Sequence, residues 1–258
     1  MKKNIFVSDL IFYNDTKEET LNFIETYNLK NIEFFLEPRD FNHTEKLNFL
    51  IKHTKLDQVS FHGPYRYFNI DCSDTLWEEL KLNFVEALIC CKKNNGEFLV
   101  LHTNESKKKD SSKKEIEKKL DELLILGKEI GVQILVENVG VGINMIYSQK
   151  EFEKLVLQKN LKVLIDIGHL LANKWDLNLL LKNLKNHIIA YHIHSNDGQK
   201  DLHESIFNDT FNGEEILKTI LSETPNAKLV FEYSPITDKQ TLLDDLKKIE
   251  EMYINEAV

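Results

Sequence analysis

The sequence predicts one (β/α)8 TIM barrel spanning residues 1–258, and three observations carry the prediction. Eight short apolar runs each lead into helix-forming sequence, the pattern of parallel strands covered on both faces. The length of 258 residues suits one such barrel, and with nine Gly and four Pro there is no flexible linker to divide it. The last six runs all end in His, Asp or Glu, where packing alone would favour Val, Ile or Leu.

Asn4-Ile-Phe-Val-Ser8 reads as the first strand, followed by a helical segment with Leu21, Ile24 and Tyr27 on one face. Asn31–Leu36 is the second, stopped by Pro38, and helical sequence resumes near residues 44–54. Gln58–His62 is the third and breaks at Gly63-Pro64. Leu76, Leu80, Phe84 and Leu88 fall four apart and predict a helix over 74–91 packed by that stripe. After the fourth strand, Glu97–His102, the capping box Ser112-Lys-Lys-Glu115 opens a helix that buries Ile116, Leu120, Leu123 and Leu124 and exits at Gly131. Val132–Glu137, Leu161–Asp166, Ile188–His194 and Ala227–Glu232 complete the eight, with a last helix over about 241–253. An open doubly wound sheet is the other architecture; it calls for a Gly-rich turn after the first strand, and Ser8-Asp-Leu-Ile-Phe-Tyr13 offers none.

Hydrophobic content of 42% with 29% charged residues is that of a soluble globular protein. A net charge of −9 counts against a broad nucleic-acid footprint while leaving a local basic patch open. The one basic run, Lys107-Lys-Lys109 with Lys113 and Lys114, reads as a solvated face, and as the first suspect if DNA were the substrate. Cys72, Cys90 and Cys91 form no Cys-x-x-Cys pair, which fits a reducing cytoplasm. The start lacks an apolar core and no eighteen apolar residues run together, so neither an export signal nor a membrane span is expected. Trp77 and Trp175 fit helix packing.

The densest chemistry lies in Ala190–His203, with three histidines and two aspartates in fourteen residues at the end of a β-branched, aromatic strand. In a parallel barrel every strand's C-terminus opens on one mouth. His62, His102, Glu137, Asp166, His194 and Glu232 end strands three to eight, and His169, Asp201 and His203 follow closely. Imidazole nitrogen with carboxylate oxygen suits a divalent ion such as zinc, manganese or iron. Any one of the nine could serve structure; nine together predict a metal site, because buried carboxylates are costly unless paired or metal-bound.

The motifs His62-Gly-Pro-Tyr65, Val100-Leu-His102, Val136-Glu137-Asn138, Asp166-Ile-Gly-His169, His192-Ile-His-Ser-Asn-Asp197, Asp201-Leu-His203 and Phe231-Glu232, in this order, resemble the xylose isomerase-like TIM barrels. That superfamily, often called AP endonuclease family 2, joins sugar isomerases and epimerases to endonuclease IV. The endonuclease IV branch implies a first zinc on His62, His102 and Glu137. A second, bridged by Glu137, would lie on Asp166, His194 and Glu232, and a third on His169, Asp201 and His203, for phosphodiester cleavage. The epimerase branch implies one ion, commonly manganese, on Glu137, Asp166, His194 and Glu232. Glu137 and Glu232 would then act as catalytic carboxylates that shuttle a proton beside a carbonyl.

The gap between Asn196-Asp197 and Asp201-Leu-His203 is shorter than in endonuclease IV, and Ile206-Phe-Asn-Asp-Thr-Phe211 replaces the expected glycine-rich continuation. With the acidic balance, this favours a sugar phosphate isomerase or epimerase acting on a small sugar-like or phosphorylated substrate. A zinc-dependent phosphodiesterase is the alternative, and a barrel that binds a ligand through one to three ions of zinc or manganese without turnover is a third. The sequence does not set the oligomeric state.

Tyr65, Arg66 and Tyr67 follow His62 and either contact substrate, Arg66 through a phosphate or carboxylate, or cover the mouth. His192 points the same way as His194 one layer deeper, at the substrate or, more in keeping with that depth, behind a ligand. Glu33 and Glu37 either orient a ligand or form strand-end salt bridges.

Overall fold

The computed structural model describes residues 4–66, 68–104 and 112–255. Eight parallel strands, β1 (Ile5–Ser8), β2 (Asn31–Phe35), β3 (Gln58–His62), β4 (Leu99–Leu101), β5 (Ile134–Glu137), β6 (Val163–Asp166), β7 (Ile188–Ile193) and β8 (Lys228–Phe231), close into a barrel in chain order, with β8 pairing to β1. Around it run α1 (Lys17–Thr26), α2 (Phe41–His53), α3 (Asp74–Lys93), α4 (Lys113–Ile130), α5 (Gln149–Lys159), α6 (Ile167–Ala172), α7 (Leu177–Leu184), α8 (Gly213–Glu223) and α9 (Lys239–Asn255). The expected order of strands and helices holds. No helix of the described residues is long and apolar enough to cross a membrane.

Local chemistry explains the helix ends. The Ser112 hydroxyl accepts from the Glu115 N–H at 3.4 Å, and Gly131 closes α4 in the left-handed region at φ +78°. Along α3 the expected stripe drifts: Leu76 is 41% exposed, and Trp77 is buried in its place. A spacing of four overshoots one helical turn, so the buried face moves to Trp77, Leu80, Phe84, Ala87, Leu88 and Cys91. The Trp77 indole N–H finds the Glu122 carboxylate at 2.9 Å.

Strand alternation divides the apolar side chains into two cores. The larger lies between sheet and helices. The smaller, Phe6, Phe98, Val100, Leu135, Leu164, Ala190 and Val230, fills the barrel interior from alternate strand positions. The interior therefore has an apolar floor, and whatever sits two residues further along each strand stands on it.

Asp9, just past β1, ties that strand to β2 by accepting the Phe35 N–H at 3.0 Å. Burial pushes its carboxyl up to about 6, against the opposing effects of His43 and that N–H. The folded protein thus keeps a proton on Asp9 between about pH 4 and 6 that the unfolded chain has released, and stability falls as pH rises through that window. Asp9→Asn preserves an acceptor oxygen and is expected to gain on the parent by about 3 kcal/mol between about pH 4 and 7 in denaturant unfolding. A difference that stays constant with pH would contradict this.

Candidate metal centre

Two residues beyond the apolar floor, the inward direction recurs at His102, Glu137, Asp166, His192 and Glu232, and β3 adds His62. The alternation that packs the floor thereby gathers a polar layer directly above it. His194 stands one layer higher, immediately past the end of β7, His169 on the first turn of α6, and Asp201 and His203 on the loop that follows β7. All nine residues expected to hold metal converge.

Three neighbourhoods form within this convergence. The His102 Nε2 lies 2.9 Å from the Glu137 Oε2 and 3.0 Å from the His62 Nε2. The His194 Nε2–H donates to the Asp166 Oδ2 at 2.8 Å, with the Glu232 Oε2 4.0 Å away. Both His169 and His203 direct Nε2 at the Asp201 Oδ2, at 3.2 and 3.1 Å. Among the described residues, five overlapping triads have ligand atoms within 4.8 Å of one another.

Each side chain is held by local structure. Asp166 ends β6 and caps α6, its Oδ1 accepting the His169 N–H at 2.6 Å. Asn138 clamps the Asp166 backbone, accepting its N–H at 2.7 Å and donating to its carbonyl at 3.0 Å. A bridge between Ser195 and Glu204 folds the β7 loop back, and the Ser234 N–H donates to the His203 carbonyl at 2.9 Å. Asp245 on α9 secures this loop, accepting from Ser205 at 2.6 Å and Tyr233 at 2.7 Å. The positioning roles of Asn138, of Asn196, whose side-chain amide donates to the Gly168 carbonyl at 2.6 Å, and of Asp245 do not emerge from the sequence reading. An Asn beside a strand-end ligand is the available signal for the first two; Asp245, on a distant helix, offers none.

Gly168 allows the His194 ring to lie against α6, since a Cβ at Gly168 would fall 1.9 Å from its Cε1. Gly168→Ala is expected to displace that ring, destabilise the fold by about 1–3 kcal/mol and weaken metal binding, as thermal melts and metal titration would register. Unchanged melting and affinity would show that the contact is soft.

The carboxylates and imidazoles of the layer interact strongly through their charges. Burial works against ionising Glu137, yet His102 and His192 outweigh it and hold the carboxyl well below its ordinary range. Asp166 is likewise lowered by His169 and His194, and Asp201 by His169 and His203, in each case against burial. Conversely, burial opposes charge on His203, but Asp201 and Glu232 lift it to about 9. Ionised carboxylates this dense require positive charge among them, from protons or from metal. The His192 Nδ1 is buried among these carboxylates without a hydrogen-bond partner among the described residues, as a lone pair free for another ligand is, whereas the unpartnered His194 Nδ1 lies against Gly168 of α6. The residues therefore fit a divalent ion.

Above the layer opens a cleft of about 420 Å³, reached by His62, Tyr65, His102, Glu137, Asp201 and Glu232 and by Asn104, Asn144 and Ser234. Its described lining contains no Lys or Arg. Arg66 does not line it; the guanidinium sits in an adjoining recess, 4.4 Å from the Tyr13 ring centre and 3.7 Å from Asp40. Its backbone and that of Tyr65 donate to Glu37 at 3.1 Å each, so Glu37 organises this loop. His192 is 0% exposed and is not among the residues lining the cleft. Tyr67 and Lys107-Lys-Lys109 lie outside the described residues.

The model of a family described as "Xylose isomerase-like TIM barrel" matches residues 16–252. Protein MJ1614 of Methanocaldococcus jannaschii is 26% identical over 196 residues, covering 74% of this chain and 77% of that protein. A D-tagatose 3-epimerase-like protein superposes with TM-score 0.81 at 18% identity, over 98% of this chain and 99% of that one. Endonuclease IV of Thermus thermophilus does so with TM-score 0.68 at 15% identity, over 98% and 99%. TTHB071 from the same organism, in a crystal soaked with ZnCl2, gives 0.65 at 14% identity, over 96% and 98%. At these identities the superpositions speak to the fold.

Proposed function

The chain belongs to the xylose isomerase-like TIM barrel family, and on that premise we propose that it is a divalent-metal-dependent isomerase or epimerase of a sugar or sugar-like compound. The observation that carries this reading is the lining of the cleft: two buried carboxylates, Glu137 and Glu232, under a small chamber of Asn, Ser, Tyr and His groups, with no Lys or Arg among the described residues. Hydroxyl-rich, uncharged matter suits such walls better than a polyanion does. Glu137, Asp166, His194 and Glu232 would hold the ion, zinc or manganese. When bound, a divalent ion supplies polarisation of substrate oxygens.

The chain's own groups do the rest. Glu137 and Glu232 rise from β5 and β8 on different sides of the barrel, so one takes a proton from the carbon beside the carbonyl and the other returns one from another direction. Asn104, Asn144 and Ser234 offer hydrogen bonds to hydroxyls.

Five- and six-carbon ketoses and aldoses, free and phosphorylated, incubated in D2O with manganese- or zinc-loaded protein, are expected to take up deuterium beside the carbonyl, read by NMR. No uptake across that panel, with cleavage of an abasic-site duplex instead, would replace this reading by the second one. That second reading, a zinc-dependent phosphodiesterase, draws on the three adjacent ligand neighbourhoods, which offer room for more than one ion.

A further inference from the structure

The polar layer is underpinned by a histidine–glutamate pair. His192 and Glu33 are both 0% exposed, and the His192 Nε2–H donates to the Glu33 Oε1 at 2.8 Å. The other Glu33 oxygen accepts from Ser60 at 3.3 Å. This fixes the ring, and it leaves the Nδ1 pointing up into the carboxylates without a hydrogen-bond partner among the described residues.

Three oxygens from three strands surround that Nδ1: Glu232 Oε2 at 3.2 Å, Glu137 Oε1 at 3.6 Å and Asp166 Oδ2 at 3.6 Å. Two of these separations are too long for a good hydrogen bond. They are instead the edges of a coordination polyhedron: bonds of ~2.1 Å to one ion leave neighbouring ligand atoms roughly 3.0–3.5 Å apart. We propose that His192 is itself a metal ligand through Nδ1, with Glu33 as the carboxylate that orients it. The ion is then gripped from below by His192 as well as by Glu137, Asp166 and Glu232. A carboxylate that receives the far N–H of a ligating imidazole fixes its tautomer and raises its basicity. Here Glu33 fills that place, from a strand that otherwise supplies nothing to the ion. This inference rests on the reading that the centre holds a divalent ion.

The test uses the full chain loaded with Co2+, followed by its visible absorption and by chelator competition. His192→Gln is expected to alter the d–d bands and weaken Co2+ more than ~100-fold, and Glu33→Gln to weaken it ~10–100-fold, as loss of an orienting partner does. A His192→Gln protein with the parent's affinity and spectrum overturns the inference and leaves the metal reading standing. If His192→Gln does not fold, Glu33→Gln, isosteric and not itself a ligand in this arrangement, decides: parental affinity overturns the inference, weakened binding supports it. A parent chain that takes up no Co2+ overturns both.

Discussion

Asp166→Asn is expected to leave the protein unable to retain its ion. The Asp166 carboxylate accepts from the His194 Nε2–H at 2.8 Å and from the His169 N–H at 2.6 Å, and it belongs to two of the ligand triads above the apolar floor. The amide keeps the shape and the helix cap but loses the charge, so the cost falls on the cation rather than on the fold. Loss of an orienting residue already weakens a metal site ~10–100-fold, so affinity here should fall by more than about 100-fold. Metal present at about a hundred times its dissociation constant raises the parent's stability by about 2.7 kcal/mol. Thermal melts with and without Mn2+ or Zn2+ should therefore separate in the parent and coincide in Asp166→Asn. A variant stabilised as much as the parent would contradict the assignment.

Glu232→Gln is expected to abolish proton exchange at the substrate carbon while the fold persists. Glu232 lines the cleft, and its neighbour Tyr233 is anchored independently to Asp245 at 2.7 Å, so the strand end stays in place without the charge. A positioned acid or base contributes about 10²–10⁴-fold to such a step, and deuterium uptake should slow by that amount. Glu137→Gln should behave similarly, because either carboxylate alone moves the proton one way only. Comparing uptake at matched metal occupancy separates lost proton transfer from lost metal. Parental rates in both variants would remove the two carboxylates from the reaction.

Much of this architecture is written in strand periodicity. Alternation put Val100, Leu135, Leu164, Ala190 and Val230 on the floor and, two steps on, His102, Glu137, Asp166, His192 and Glu232 above it. That pattern is local and survives in the sequence. Helix faces were less legible: the spacing of four named Leu76, whereas burial selects Trp77, because the true turn is shorter than the spacing. Distances across the barrel were not legible at all. Glu33 and His192 are 159 residues apart and meet only because β2 and β7 both turn them into the same interior. Nor did position after His62 reveal that Tyr65 enters the cleft while Arg66 turns to Tyr13 and Asp40.

Elemental analysis of the purified chain, loaded with Mn2+ or Zn2+ and dialysed free of loose ion, tests the metal centre most directly. At least one equivalent retained by the parent, and none by Asp166→Asn, is the expected result. A parent emptied by dialysis, or a variant that keeps the parental complement, would contradict it.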